Sequence, residues 1–255
     1  MDRITIVKVG GKVVEEEESL NSLLNQFLKI SGNKILVHGG GRSATELANR
    51  LGIETQMING RRITDAATLE VVTMVYGGLV NKKIIAGLQS RGVNSIGITG
   101  ADLDLIKAEK RPVGEIDYGF VGDVKNVNTR ELRLLINENI TPVVAPLTHD
   151  GKGNLLNTNA DTVASELAIE LTNYYNVYLF FCFEKKGVLK DPNDDNSVIY
   201  DIDFDTFREY QENGIINAGM IPKIENGFRA KQNGVKEILI TNPDNIAEGK
   251  GTRIL

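Results

Sequence analysis

Residues 3–9, Arg-Ile-Thr-Ile-Val-Lys-Val, form one apolar run that ends on Gly10-Gly11. The run is continuous rather than alternating in polarity. A strand of this kind is covered on both faces, and such strands belong to parallel sheets. Similar runs stand at Lys34–Val37, Ile96–Ile98, Ile140–Ala145, Tyr174–Phe183 and Glu237–Thr241. Segments of helical spacing separate them. Residues 19–31 place Leu20, Leu23, Leu24, Phe27, Leu28 and Ile30 on one stripe, with Ser19 as the expected N-cap and Gly32 as the stop. Further helices are expected near 41–51, 65–90, 159–172, 203–213 and 221–233. The Glu15–Glu18 run reads as a solvated loop or a helix start. Hairpins are expected at 55–64 and about 104–127. This alternation predicts an α/β chain with a mostly parallel sheet and helices on both faces.

The chain has 255 residues and 41% apolar residues, enough for one large α/β unit or two lobes sharing a sheet. Its formal charge of −5 argues against a polyanion-binding face and still allows a local cationic site. One cysteine, Cys182, cannot build a disulfide framework. This fits a reducing cytosol. Met1-Asp2-Arg3 leads straight into the first strand, with no visible signal peptide. No uninterrupted apolar stretch approaches the roughly 20 residues of a membrane span.

The chemistry concentrates at strand ends. Ligands of open parallel sheets sit beyond the carboxyl ends of the strands. Gly10-Gly11 follows the first strand, and Gly39-Gly40-Gly41 follows the second and opens a helix. Glycine lets a backbone approach a phosphate, and the following amides are free donors. Either cluster alone reads more readily as a tight turn; two on adjacent strands, one beside a lysine, favour the phosphate reading. Lys8 interrupts a buried run, where an unpaired ammonium is unfavourable. It either snorkels or points into a cleft. Asp161, in Asn157-Thr-Asn-Ala-Asp161, is its natural counter-charge and also suits the first turn of a helix. Lys223, after Gly219-Met-Ile-Pro, stands in a first helical turn against the dipole, or is a solvated surface lysine. Arg62, on the 55–64 hairpin, offers a planar fork for a carboxylate, or is an ordinary solvent-facing arginine. His38 precedes the glycines, but the chain lacks a Gly-x-Ser-x-Gly elbow, so His38 reads as a strand-end residue. There is no Gly-x-x-x-x-Gly-Lys-Ser/Thr loop and no zinc spacing. Glycine turns, two cations and an aspartate suit phosphoryl transfer, which asks chiefly for positioning and charge neutralisation.

Taken together, Lys8-Val-Gly-Gly11, His38-Gly-Gly-Gly41, Asn59-Gly-Arg-Arg62-Ile-Thr64, Asn157–Asp161, Gly219–Lys223 and Gly251-Thr-Arg-Ile-Leu255 resemble the acetylglutamate kinases of the amino acid kinase family. The resemblance implies a three-layer αβα sandwich on a mainly parallel open sheet. It implies an N-terminal lobe, 1–175, for acylglutamate binding and dimerisation, and a C-terminal lobe, 176–255, for ATP. The implied reaction moves the γ-phosphoryl group of ATP to the side-chain carboxylate of an N-acyl-L-glutamate, the second step of arginine synthesis. Implied catalytic residues are Lys8, Lys223, Asp161, Gly11 and Gly40. Gly40, Gly41, Arg62 and Asn157 would hold the acceptor. Lys8, Gly10, Gly11, Glu184, Gly187 and Lys223 would face the nucleotide. Magnesium would ride on the ATP phosphates with no dedicated protein cage.

Two stretches depart from the family pattern. Phe183-Glu184-Lys185-Lys186-Gly187 replaces a Ser/Thr-Asp-Val-x-Gly turn near the nucleotide, and residues 98–104 replace a glycine-rich stretch expected near the substrate. The second motivates succinyl as an alternative to acetyl. Arginine-inhibited relatives carry an extra N-terminal helix; this chain opens almost on its first strand, so a cytoplasmic homodimer insensitive to arginine is expected. Alternatives are a sibling kinase for another carboxylate or carbamate, and a non-catalytic amino-acid or nucleotide sensor on the same fold.

Overall fold

The computed structural model describes residues 1–58, 61–216 and 219–255. Its centre is β1 (Arg3–Val9), flanked in parallel by β2 (Asn33–His38) and β11 (Asn176–Cys182). The sheet has eight strands in the order β12-β14-β13-β11-β1-β2-β8-β5, where β5 is Ser95–Thr99, β8 Thr141–Ala145, β12 Asp201–Ile202, β13 Glu237–Thr241 and β14 Thr252–Ile254. Pairing is parallel throughout except between β13 and β14.

Successive residues of β1 feed opposite layers, as the strand period of two requires. Ile4 and Ile6 enter a core with Val37, Val163, Leu167, Leu179 and Phe181. Val7 and Val9 enter the opposite core with Leu23, Phe27, Leu36, Val72, Ile84 and Phe180. The first layer carries α5 (Arg130–Asn137), α6 (Ala160–Leu171), α7 (Phe204–Glu212) and α8 (Ile221–Gln232). The second carries α1 (Gly11–Glu15), α2 (Glu17–Lys29), α3 (Gly41–Arg50) and α4 (Ala66–Gln89). This is the αβα sandwich that the alternating pattern predicts. Lys8 shares the face of Ile4 and Ile6, which turns it toward α6.

Helix α4 begins at an Asp65 cap, whose carboxylate accepts from Thr68 N at 2.7 Å. Its middle, Thr73–Val80, is wound as π-helix. At 24 residues and mean hydropathy 1.3 it matches a membrane span in length and composition. Val71, Val72, Val75, Ile84 and Leu88 nonetheless pack into the core. Beyond the main sheet, β6 (Ile106–Lys110), β7 (Gly122–Val127), β9 (Leu147–His149) and β10 (Leu155–Asn157) form a second sheet, and β3 (Met57–Ile58) pairs with β4 (Arg61–Arg62). Both expected hairpins are therefore present.

The N-cap of α2 is Glu16, not Ser19. Glu17 and Glu18 occupy the first turn, where negative charge complements the helix dipole and moves the start upstream. Ser19 Oγ instead donates to Glu16 Oε2 at 3.2 Å. Short elements α1, α5, β9, β10, β12 and β14 go unread in the sequence, being too brief for a periodic signal.

Candidate active site

Asp161 lies in the first turn of α6. The helix is capped by Asn159, whose side-chain oxygen accepts from Asp161 N at 2.8 Å and Thr162 N at 3.1 Å. Capping by Asn159 leaves the Asp161 carboxylate to other partners. Lys8 Nζ lies 2.7 Å from its Oδ1, and Lys223 Nζ lies 3.0 Å from its Oδ2. Lys8 and Asp161 are buried. Burial alone would push the Asp161 carboxyl up, but the two ammonium groups outweigh it and hold it at about 2. Burial pulls Lys8 below its ordinary value; Lys223 adds to this and Asp161 opposes it. The three groups form a cluster, buried at Lys8 and Asp161 and half-buried at Lys223, with one cation in excess.

The glycine turns meet in front of this cluster. A side chain added at Gly11 would lie 3.4 Å from Gly41 N and 3.5 Å from Gly40 N. One added at Gly40, where φ is +159°, would meet the Tyr76 ring at 3.0 Å and Val80 at 3.3 Å. The turns thus pass within van der Waals contact at Gly11, and Gly40 is tight enough to disfavour any side chain. Among the described residues, the amides of Gly11, Gly40 and Gly41 have no hydrogen-bond acceptor. Three free donors beside an excess cation make a site for an anion.

Two cavities share a lining residue here. The first, ≈ 250 Å³, is bordered by Lys8, Gly11, Gly40, Gly41, Arg62, Asn157 and Asp161. The second, ≈ 400 Å³, is bordered by Gly10, Gly11, Glu184, Gly187 and Lys223. Gly11 borders both. The catalytic, acceptor-binding and nucleotide-facing residues that the resemblance implies thus line one cavity or the other. Lys8, expected to face the nucleotide, borders the first cavity and not the second.

Arg62 is buried rather than solvent-facing, and its Nη2 donates to Gly41 O at 2.7 Å and Thr45 Oγ1 at 2.8 Å. Asn157 Nδ2 donates to Thr64 Oγ1 at 3.0 Å, tying β10 to the residues after β4. Asn59 and Gly60 of the Asn-Gly-x-Arg motif lie outside the described residues. Gly187 is forced by packing: an added side chain would meet Thr252 Oγ1 at 2.6 Å.

Residues 98–104, expected near the substrate, do not border the first cavity. Asp102 folds the segment on itself by accepting from Thr99 N at 2.6 Å and Thr99 Oγ1 at 2.8 Å. Other residues at the site carry no sequence signal. Arg111 and Asp123 border the first cavity and pair at 2.5 Å. Tyr76, from the π-wound turn, borders it beside Gly40. Glu15 is no free solvated acid, because it accepts from Ser43 N at 2.7 Å and Ser43 Oγ at 3.0 Å. It thereby ties the helix begun by Gly11 to the helix begun by Gly41. A carboxylate four residues after Gly11 was the only hint.

Comparison with known proteins gives a consistent result. Residues 3–242 match the model of the amino acid kinase family. The chain is 62% identical over 254 residues to the acetylglutamate kinase of Parabacteroides distasonis, covering 100% of each. The crystal structure of smu.665 from Streptococcus mutans superposes with a TM-score of 0.83 at 28% identity, covering 98% of each chain. Carbamate kinase from Giardia lamblia, bound to AMP-PNP, shares the fold with a TM-score of 0.72 at 13% identity, over 99% of this chain and 98% of that one.

Proposed function

The chain belongs to the amino acid kinase family, and from that premise we propose that it transfers the γ-phosphoryl group of ATP to the side-chain carboxylate of N-acetyl-L-glutamate. The observation that carries this reading is the position of Lys8, Asp161 and Lys223. They form one cluster where the two cavities meet at Gly11.

The acceptor occupies the first cavity. Arg62 and Asn157 hold its α-carboxylate and surroundings, with Gly41 close by. ATP enters the second cavity along Gly10, Gly11, Glu184 and Gly187. The acceptor's γ-carboxylate is already ionised at neutral pH, so no general base is needed. One of its oxygens bonds to the γ-phosphorus as the bond to the β,γ-bridging oxygen breaks, giving an acyl phosphate and ADP. Negative charge spreads over the phosphoryl oxygens in transit. Lys8 and Lys223 neutralise it, Asp161 orients the two ammonium groups, and the Gly11 and Gly40 amides donate to the equatorial oxygens. Magnesium, carried by the nucleotide, would add positive charge against the phosphates, and no residue is assigned to hold it. Residues 1–175 serve the acceptor and 176–255 the nucleotide. Met74 and Leu79, exposed on one helix, support a homodimer. The enzyme works in the cytoplasm.

An ADP-release assay with ATP and magnesium over a panel of acceptors tests the reading. The panel holds N-acetyl-L-glutamate, N-succinyl-L-glutamate, L-glutamate, L-aspartate and carbamate. Succinyl is included because Arg61 and Arg111 border the cavity and would pair with a further carboxylate. Turnover confined to N-acylglutamates supports the assignment. Turnover of carbamate or aspartate alone, or none, rejects it.

A further inference from the structure

His38 is fully buried at the end of β2, and a kinase of this design has no proton for it to move. Its ring is nonetheless bonded at both nitrogens. Nδ1 lies 2.7 Å from Gly39 O, and Nε2 lies 3.2 Å from Asn81 Nδ2. A carbonyl only accepts, so Nδ1 carries the proton and Nε2 presents its lone pair to the Asn81 amide. Asn81 cannot be turned around, because the same Nδ2 donates to Val143 O at 3.0 Å. Its Oδ1 accepts from Lys82 Nζ at 3.1 Å. Every polar atom of the pair is satisfied.

The surroundings are shaped for Asn81. A side chain added at Gly97 would come within 1.7 Å of Asn81 Oδ1, so β5 carries bare backbone where the amide sits. Asn81 follows directly on the π-wound turn of α4. That turn also supplies Tyr76 and Val80, which pack where a Gly40 side chain would stand. One irregular stretch of helix therefore supports the glycine turn from two sides; π-wound segments are often found at functional sites.

These contacts determine one peptide plane. Gly39 N donates to Val9 O at 3.0 Å, fixing the peptide before it. Gly39 O is taken by His38, fixing the peptide after it. In a trans peptide the N–H points opposite the C=O. The amide opposite this carbonyl is that of Gly40, which has no acceptor among the described residues and borders the first cavity. A donor into the carbonyl also polarises the amide on the far side of the same peptide.

We infer that His38 and Asn81 are positioning residues: Asn81 holds His38 as its Nδ1–H tautomer, and His38 locks the Gly39–Gly40 peptide with its amide facing the transferring phosphoryl group. The role assigned to the amide rests on the phosphotransferase reading above; the tautomer does not.

Two measurements test it. The first is 15N NMR of the wild-type protein labelled at histidine, which has only His38 and His149 to assign. His38 is expected to show a protonated Nδ1 and an unprotonated Nε2 at neutral pH. The reverse tautomer, or a doubly protonated ring, overturns the inference. The second compares His38→Asn, which keeps a donor at the Nδ1 position, with His38→Gln, which keeps a polar group only at the Nε2 position. The kcat of H38Q with N-acetyl-L-glutamate is expected to fall at least about tenfold below that of H38N, part of the ~10²–10³ that one lost oxyanion donor costs. The KM for N-acetyl-L-glutamate should stay within about threefold of wild type in both, since no ground-state contact is removed. Equal kcat values in the two variants contradict the proposal. If the wild type phosphorylates no acylglutamate, the phosphotransferase reading fails, and the NMR result still decides the tautomer.

Discussion

Lys8 and Lys223, at opposite ends of the chain, bind the two oxygens of one carboxylate, at 2.7 and 3.0 Å from Asp161. Each lysine is fixed by its own element, β1 or α8, and the carboxylate keeps the two charges from separating. Removing Asp161 leaves two neighbouring ammonium groups without a counter-charge. Asp161→Ala is therefore expected to lose about 3 kcal/mol of folding stability, the lower end for breaking a buried ion pair. Turnover should fall on the order of a hundredfold. Adding Lys8→Met to that variant should restore part of the stability and none of the turnover. Thermal unfolding and ADP release read the two effects separately.

Acid stability should fall in two stages. Burial, opposed by the Gly39 hydrogen bond and aided by Lys82, holds His38 at about 4, below its ordinary value of 6.5. A depressed folded value means that the unfolded chain binds the proton more readily. The contribution is complete above pH 6.5 and is lost as pH falls through 4. It amounts to about 3 kcal/mol at roughly 1.4 kcal/mol per unit. Asp161, held at about 2 against an ordinary 3.8, adds about 2 kcal/mol that is present above 3.8 and lost toward 2. Denaturation at a series of pH values should show the first stage in wild type and lose it in H38N.

At the alkaline end the sign is opposite for activity. Burial lowers Lys8 below 10.5, and the transferring phosphoryl group needs its charge. The kcat/KM profile reports ionisations of the free enzyme. Its alkaline limb should begin below 10.5 and disappear from the residual activity of Lys8→Met. A limb unchanged in that variant would assign the ionisation elsewhere.

Arg62 carries a planar fork of which one nitrogen, Nη2, donates to Gly41 O and Thr45 Oγ1. Lysine cannot reproduce that geometry. Arg62→Lys should raise the KM for N-acetyl-L-glutamate about tenfold, the equivalent of one charge-assisted hydrogen bond of about 1.5 kcal/mol. The KM for ATP should not change.

Much of this architecture was legible in the sequence. The continuous run around Lys8 gives the parallel sheet, and its pleat gives the face on which Lys8 meets α6. The glycine turns follow from their places at strand ends. What stayed hidden depends on contacts between distant segments. Glu15 reads as one of a row of acids, yet it binds Ser43 on another helix. Arg111, within the 104–127 segment, carries no signal of its own, yet it borders the acceptor cavity with Asp123. The π-wound turn at Thr73–Val80 has no periodic signature, because its apolar residues suit an ordinary helix equally well. Residues 98–104 depart in composition from the family, and only the structure shows that Asp102 folds them onto Thr99 and that they do not border the first cavity.

The central claim concerns the paired cations, and replacing them one at a time tests it most directly. Lys8→Met and Lys223→Met, assayed for ATP-dependent phosphorylation of N-acetyl-L-glutamate, should each lose on the order of a hundredfold or more in kcat while remaining folded. Wild-type turnover in either variant would contradict the account.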